Sequence, residues 1–306
     1  MADRAIVTNQ ALSAQQKRKA YIMHLAVATM NNLQHGRPDD LARALEERGF
    51  ESLWIGEHAH LPATGRVPYP AGDGTIPEPY KHMADMFVSL AMAASVTKTL
   101  KLGLGVALIL ERDVFNMAKA VATLDQLSGG RVMVGVGTGW NSEEFENVAP
   151  MPWGKRYSGM KECVAALRTL WQDEVCSYSG EWFKFDRVWS YPKPLQKPWP
   201  PIHLGVAGKI GTAHAAEWGD AWLPIDIGDK DFGIKLGKFH AMLRENGRDP
   251  KTVPVSVVAF TDPSLEQLQR YRELGVDRVL VNGAGRSLDE SMRMLDRYAA
   301  AIPDLK

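Results

Sequence analysis

Short apolar runs recur along the chain, each followed by turn residues and then by a stretch whose apolar positions fall three and four apart. Eight runs read as strands: Tyr21 to Thr29, Ser52 to Glu57, Lys101 to Leu110, Arg131 to Val136, Ile202 to Val206, Ala221 to Ile225, Val253 to Phe260 and Asp277 to Asn282. Several are unbroken Val, Ile and Leu, the pattern of parallel strands covered on both faces. The helices between them carry their own punctuation. PDDLARALEERGF puts Gly49 at a C-terminal cap, VFNMAKAVATLDQLSGG stops at Gly129 and Gly130, and PSLEQLQRYRELG has Pro263 early and Gly275 just past its end. Eight βα units in series predict an α/β fold, a single (β/α)8 TIM barrel. An open doubly wound sheet also alternates strand and helix, but eight near-regular units ending in a helix favour closure.

Two stretches interrupt the order. Leu61 to Lys81 and Ser190 to Pro201 hold ten of the 18 prolines, so they are insertions after the second and fourth strands rather than regular elements. Between the fourth and fifth strands, YSGEWFKF reads as a hairpin turning at Ser179-Gly180. The same link holds Trp140, Trp153, Trp171, Trp182, Trp189 and Trp199, six of the nine tryptophans, which either pad an insertion or wall an aromatic pocket. A plain barrel needs about 250 residues. The excess in this 306-residue chain is then a tail over residues 1–19 plus the insertions, with the barrel domain over 20–306 and no second domain.

Charge and cysteine content narrow the partners. Thirty-six basic side chains balance 36 acidic ones, which gives no electrostatic reason to bind nucleic acid. Two cysteines, Cys163 and Cys176, make no disulfide framework, and a reducing, cytoplasmic setting is expected. The first twenty residues lack the apolar core of an export signal, and no run of about 18 apolar residues predicts a membrane span.

In a barrel the chemistry sits at the carboxyl ends of the strands. After the second strand comes Glu57-His58-Ala59-His60, a carboxylate and two imidazoles able to move protons near neutral pH. His58-x-His60 also admits a metal-dependent hydrolase. That reading needs ligands from other strand ends, whereas His203 opens its strand, His214 and His240 fall within helices and His24 lies mid-strand, so no metal is expected. Glycines cluster at Gly103 and Gly105, at Gly135, Gly137 and Gly139, and at Gly205, Gly208 and Gly211. Inside a strand a glycine marks a bend or the close approach of a ligand. The last group leads from the fifth strand into a helix, where free N–H groups and the helix dipole favour a phosphate. GVGTG lacks the spacing of the dinucleotide fingerprint, so the residues themselves support a phosphate-bearing cofactor without identifying it.

The segments GFESLWIGEHAH, ATLDQLSGGR followed by GVGTGWN, and PPIHLGVAGKIGTAHAAEWGDAWLP resemble the bacterial-luciferase-like superfamily, over roughly Tyr21 to Ile225. The resemblance implies a luciferase-like oxidoreductase or monooxygenase. Coenzyme F420, a deazaflavin, is the first choice of cofactor and FMN the second, with hydride passing to or from a small organic substrate. FMNH2-dependent oxygenation with dioxygen, served by a separate cofactor reductase, is the alternative; a non-catalytic flavin-binding relative is disfavoured by the retained acid-His pair. It implies a non-prolyl cis peptide at Gly105-Val106 behind the ring, ring contacts from Thr138, Gly139, Trp140 and Asn141, and a phosphate turn of Ala207, Gly208, Lys209 and Gly211. His58 would be the acid/base and Glu57 would fix its orientation, while a homodimer through barrel helices is expected. Related phosphate turns carry Asn and Arg; here backbone N–H groups and Lys209 would replace them. Trp140 stands where sugar-phosphate-oxidising relatives place a carboxylate, so that substrate is not expected.

Overall fold

The computed structural model describes residues 22–34, 36–227, 231–283 and 288–305; the stretch read as a tail lies outside them. All eight predicted runs form strands. They are β1 (His24–Thr29), β2 (Ser52–Ile55), β3 (Lys101–Leu104) with its continuation β4 (Ala107–Leu108), and β5 (Val132–Gly137). The predicted hairpin follows as β6 (Cys176–Ser179) and β7 (Lys184–Val188), and the barrel resumes with β8 (Ile202–Leu204), β9 (Ala221–Trp222), β10 (Ser256–Val258) and β11 (Arg278–Asn282). β1 pairs in parallel with β2 on one side and with β11 on the other, in register Ala26 to Leu280. Parallel bridges Trp222–Val255 and Ile225–Val258 join β9 to β10 and complete the ring, so the open sheet is excluded. The sixth and seventh runs are shortened by Pro224 and Pro254, which have no N–H; their carbonyls still accept from Val258 and Trp222 across the seam, at 2.8 and 2.9 Å.

The α-helices among the described residues are α1 (Pro38–Glu47), α2 (Met86–Val96), α3 (Val114–Ser128), α4 (Ser142–Val148), α5 (Arg156–Gln172), α6 (Gly208–Trp218), α7 (Phe232–Glu245), α8 (Leu265–Leu274), α9 (Leu288–Ala299) and α10 (Ile302–Leu305). Their ends follow the sequence signals. Asp113 and Ser264 accept from backbone N–H groups at the starts of α3 and α8, and Gly129 and Gly275 end them in the left-handed region at φ 73° and 80°.

The strands separate two apolar layers. One lies between strands and helices; the other is a small group formed by Ala26, Trp54, Met133, Leu223 and Leu280. Trp54, fully buried, explains the glycines read from sequence as a bend or ligand approach. A Cβ on Gly103 would lie 2.1 Å from the Trp54 ring, and one on Gly135 would lie 2.0 Å from the Leu104 carbonyl oxygen. The close approach is therefore made by the protein's own indole and backbone. Gly135→Ala is expected to destabilise by about 1–3 kcal/mol or more through overpacking, whereas Gly154→Ala, with open space at its Cβ, stays within about 0.5 kcal/mol. Urea midpoints for the two variants check this.

At the amino ends of the strands the barrel is plugged by charge. Arg278 grips Glu51 with two N–H groups at 2.6 and 2.7 Å and reaches Ser256 Oγ at 2.8 Å, while Lys101 Nζ lies 2.8 Å from Glu51. Burial opposes the Glu51 charge, but Arg278 and Lys101 outweigh it and hold the carboxyl far below the usual range. His203, buried against the edge of Trp54, is pushed down to about 3 by burial and then by Arg278, so this imidazole is neutral.

Candidate active site

At the opposite rim the loops after β2, β4 and β5 converge. The turn after β5 depends on Gly139, at φ 71°, where a Cβ would meet Leu108 at 3.3 Å and Glu111 Oε1 at 3.6 Å. Asn141 then starts α4, its side-chain oxygen accepting from the N–H groups of Glu143 and Glu144 at 3.0 and 3.3 Å. That cap fixes the first turn of α4 and with it Glu144, which is only 1% exposed.

The consequence is a defined imidazole. His58 Nδ1 lies 2.7 Å from Glu144 Oε2, and Trp140 Nε1–H donates to His58 Nε2 at 3.2 Å. An indole N–H can only donate, so Nε2 is the lone-pair nitrogen and Nδ1 carries the proton that Glu144 accepts. The role expected of Glu57, orienting His58, thus falls to Glu144. Glu57 is buried, but its carboxylate accepts from the Leu108 N–H at 2.8 Å and from Arg112 Nε at 2.5 Å, and Arg112 also reaches Asp85 at 3.1 Å. Glu57 ties the second strand end to the third. The carboxylate that meets His58 comes from 86 residues away, on the helix after β5, two strands along the ring.

Trp140 also packs edge-on against Tyr69, with ring centroids 5.5 Å apart, and Tyr80 lies 5.3 Å from the His58 ring. The two tyrosine hydroxyls are 2.8 Å apart, and burial, with the Tyr69 hydrogen bond, keeps the Tyr80 phenol protonated far above its usual range. Both tyrosines belong to the Leu61 to Lys81 insertion, which is tied to α4 through Thr64 and Arg66 on the Glu143 carboxylate. Of the six linker tryptophans only Trp140 touches His58. Trp171 is core, bonded to the Ala118 carbonyl; Trp199 bonds Asp220 beneath Arg168; Trp153 packs on Phe145; Trp182 is half-buried against the core; and Trp189 lies exposed.

The metal reading built on His58 and His60 does not match this geometry, since both His58 nitrogens are engaged and His60 Nε2 pairs with Asn147 Nδ2 at 3.0 Å. His60 does lie near Glu111 and Glu144, with one ligating atom from each residue within 4.8 Å of the other two.

The residues anticipated for a cofactor line the same rim. The Gly105-Val106 peptide is cis, and Val106 sits between Gly137 and Gly205, where an added Cβ would come within 2.6 and 2.4 Å of its methyl groups. Thr138, directly after β5, is buried. Beyond β8, α6 starts at Gly208 from Ala207, which has no side-chain cap to offer, and no acidic residue sits in the first turn. Ala207, Gly208 and Lys209 are exposed, a Cβ on Gly208 would meet open space, and Gly211 lets the helix close on Val206 and Tyr157. Free N–H groups at an uncapped, open helix start fit a phosphate.

Sequence reasoning missed Glu144, Glu111, Tyr69 and Tyr80. The signal for Glu144 was present in Asn141-Ser-Glu-Glu144, an N-cap with an acidic first turn directly after the glycine turn. Nothing local marks the tyrosines.

A family model described as luciferase-like monooxygenase matches residues 24–302. An uncharacterized protein of Mycobacterium tuberculosis is 36% identical over 288 residues, covering 92% of this chain and 99% of that protein. The F420-dependent hydroxymycolic acid dehydrogenase of Mycobacterium tuberculosis is 29% identical over 218 residues, 69% of this chain and 55% of the dehydrogenase. The FMNH2-dependent dimethylsulfone monooxygenase of Pseudomonas putida is 35% identical over 173 residues, 55% of this chain and 47% of the monooxygenase. Its relatives thus span two cofactors and two reaction types.

Proposed function

The chain belongs to the luciferase-like monooxygenase family, and from that premise we propose that it is an F420-dependent oxidoreductase acting on the hydroxyl or carbonyl of a small organic substrate. The observation that supports this reading is the His58 tautomer. A neutral imidazole with Nδ1–H held by a buried carboxylate presents Nε2 as a base, which suits removal of a hydroxyl proton and, in reverse, its return to a carbonyl oxygen. A deazaflavin held at this rim would supply or take up the hydride.

The chain's own contributions follow from position. The open start of α6, with Gly208 and Lys209, binds the cofactor phosphate. A substrate hydroxyl takes the place of the Trp140 N–H at His58 Nε2 and gives up its proton there. Glu144 holds the ring in register and stabilises the imidazolium that forms. Tyr69, Tyr80 and Trp140 make an apolar wall that limits water at the base and favours a substrate with an apolar body. No carboxylate or phosphate of a substrate is provided for on that wall.

The test is titration of the purified protein with F420 and with FMN, oxidised and reduced, followed by fluorescence and absorbance. F420 is expected to bind at least about tenfold more tightly, a difference of about 1.4 kcal/mol. Tighter binding of FMNH2 would replace this reading with that of the FMNH2-dependent relatives.

A further inference from the structure

The buried side of His58 holds more carboxylate than proton transfer at Nε2 requires. Glu144 is 1% exposed, its Oε2 takes the His58 Nδ1–H, and its Oε1 is buried without a partner among the described residues. Glu111, which ends the 3-10 turn Ile109–Glu111 after β4, has both carboxylate oxygens buried and without a partner. An oxygen of Glu111 and one of Glu144 lie within 4.8 Å of each other. The other charges facing the pair come from the β2 loop and from just beyond the Glu111 turn. Glu57 is neutralised by Arg112, while His60, whose Nε2 pairs with Asn147 Nδ2, also has a ring nitrogen within 4.8 Å of both carboxylates. No cationic side chain is given over to the Glu111–Glu144 pair among the described residues, and two bare carboxylates so placed would repel each other in a dry setting.

We propose that Glu111 and Glu144 share one proton, carried by Glu111 and donated to the free Oε1 of Glu144, so that a single fixed negative charge backs His58. This rests on the reading of His58 as the base. With that proton in place, two of the three orphaned oxygens gain a partner in each other, one as donor and one as acceptor. Burial first, then the charges of Glu144 and Glu57, push Glu111 up to about 8, in line with a protonated carboxyl at neutral pH. Glu111 is a positioning residue. It keeps Glu144 from turning away from His58 and keeps a second charge from building up behind the imidazole. Above the Glu111 titration that charge appears, His58 holds an acquired proton more tightly, and return of the enzyme to its basic form slows.

The resting protein, without cofactor or substrate, is the sample, so the outcome is independent of which reaction it runs. With the glutamate carboxyl carbons and histidine ring nitrogens isotopically labelled for NMR, one carboxyl is expected to titrate near pH 8 in the wild type and to vanish in Glu111→Gln. The His58 nitrogen shifts should follow that titration in the wild type. In Glu111→Gln, whose amide still donates to Glu144, they should keep the Nδ1–H tautomer but lose the pH 8 step. A wild-type spectrum in which every glutamate titrates in the ordinary carboxylate range overturns the proposal. So does a stoichiometric divalent metal in the purified protein that is lost in Glu111→Gln, because a cation would then neutralise the pair.

Discussion

His58→Ala is expected to lower turnover about 100- to 10,000-fold while leaving cofactor affinity nearly unchanged. The size follows from what the ring does: it presents a lone pair at this rim with a proton held on the opposite nitrogen by a buried carboxylate. The selectivity follows from distance along the ring of strands. The turn proposed for the phosphate leaves β8 and the β2 loop carries His58, so removing the imidazole takes nothing from the start of α6. Glu144→Gln separates base from orientation. Its amide can present N–H where a carboxylate accepted one, which drives His58 toward the wrong tautomer, and its effect should approach that of His58→Ala. Stopped-flow absorbance of the bound cofactor gives the hydride-transfer rate, and fluorescence titration gives the affinity. Unchanged transfer in His58→Ala would remove the imidazole from the mechanism.

Glu51→Gln is expected to cost about 3–5 kcal/mol at neutral pH, the range for removing one member of a buried ion pair. Its carboxylate is held by two N–H groups of Arg278 and by Lys101, and Arg278 is itself only 6% exposed, so the variant leaves a guanidinium charge buried without its partner. The acid dependence follows in sign. A carboxyl depressed on folding contributes stability above its unfolded value, and that contribution fades as pH falls through the folded one. The wild type should therefore lose stability from about pH 5 downward, and Glu51→Gln, already without the pair, should show a flatter acid limb. Urea midpoints between neutral and acid pH give both quantities.

The architecture was legible because it depends on periodicity. Eight apolar runs with helical spacers and terminal glycines such as Gly129 and Gly275 specify βα units, and the strand ends were misplaced, at Pro224 and Pro254, which have no N–H, and at Ile109 and Leu110, which enter a 3-10 turn. The site was legible in part. His58 and the Gly139-Trp140-Asn141 turn can be ranked by their place at strand ends, which is a one-dimensional property. Which carboxylate reaches His58 is not. Glu57 is its chain neighbour, yet Glu57 goes to Arg112 while Glu144 arrives from the helix after β5, two strands along the ring. Gly103 and Gly135 mislead for a related reason. A missing Cβ signals close approach without saying by what: at Gly103 the visitor is the Trp54 ring from the neighbouring strand, and at Gly135 it is the Leu104 carbonyl oxygen.

The pairing of β1 with β11 has a consequence for how the molecule is made. Ala26 meets Leu280, so the first strand emerges with one edge open and keeps it open until its partner, some 250 residues later, has been synthesised. Met23 likewise waits for the carbonyl of Leu305. Contacts of such sequence separation slow the last stage of folding, and the bare edge of β1 is where an unfinished chain is most exposed to its neighbours.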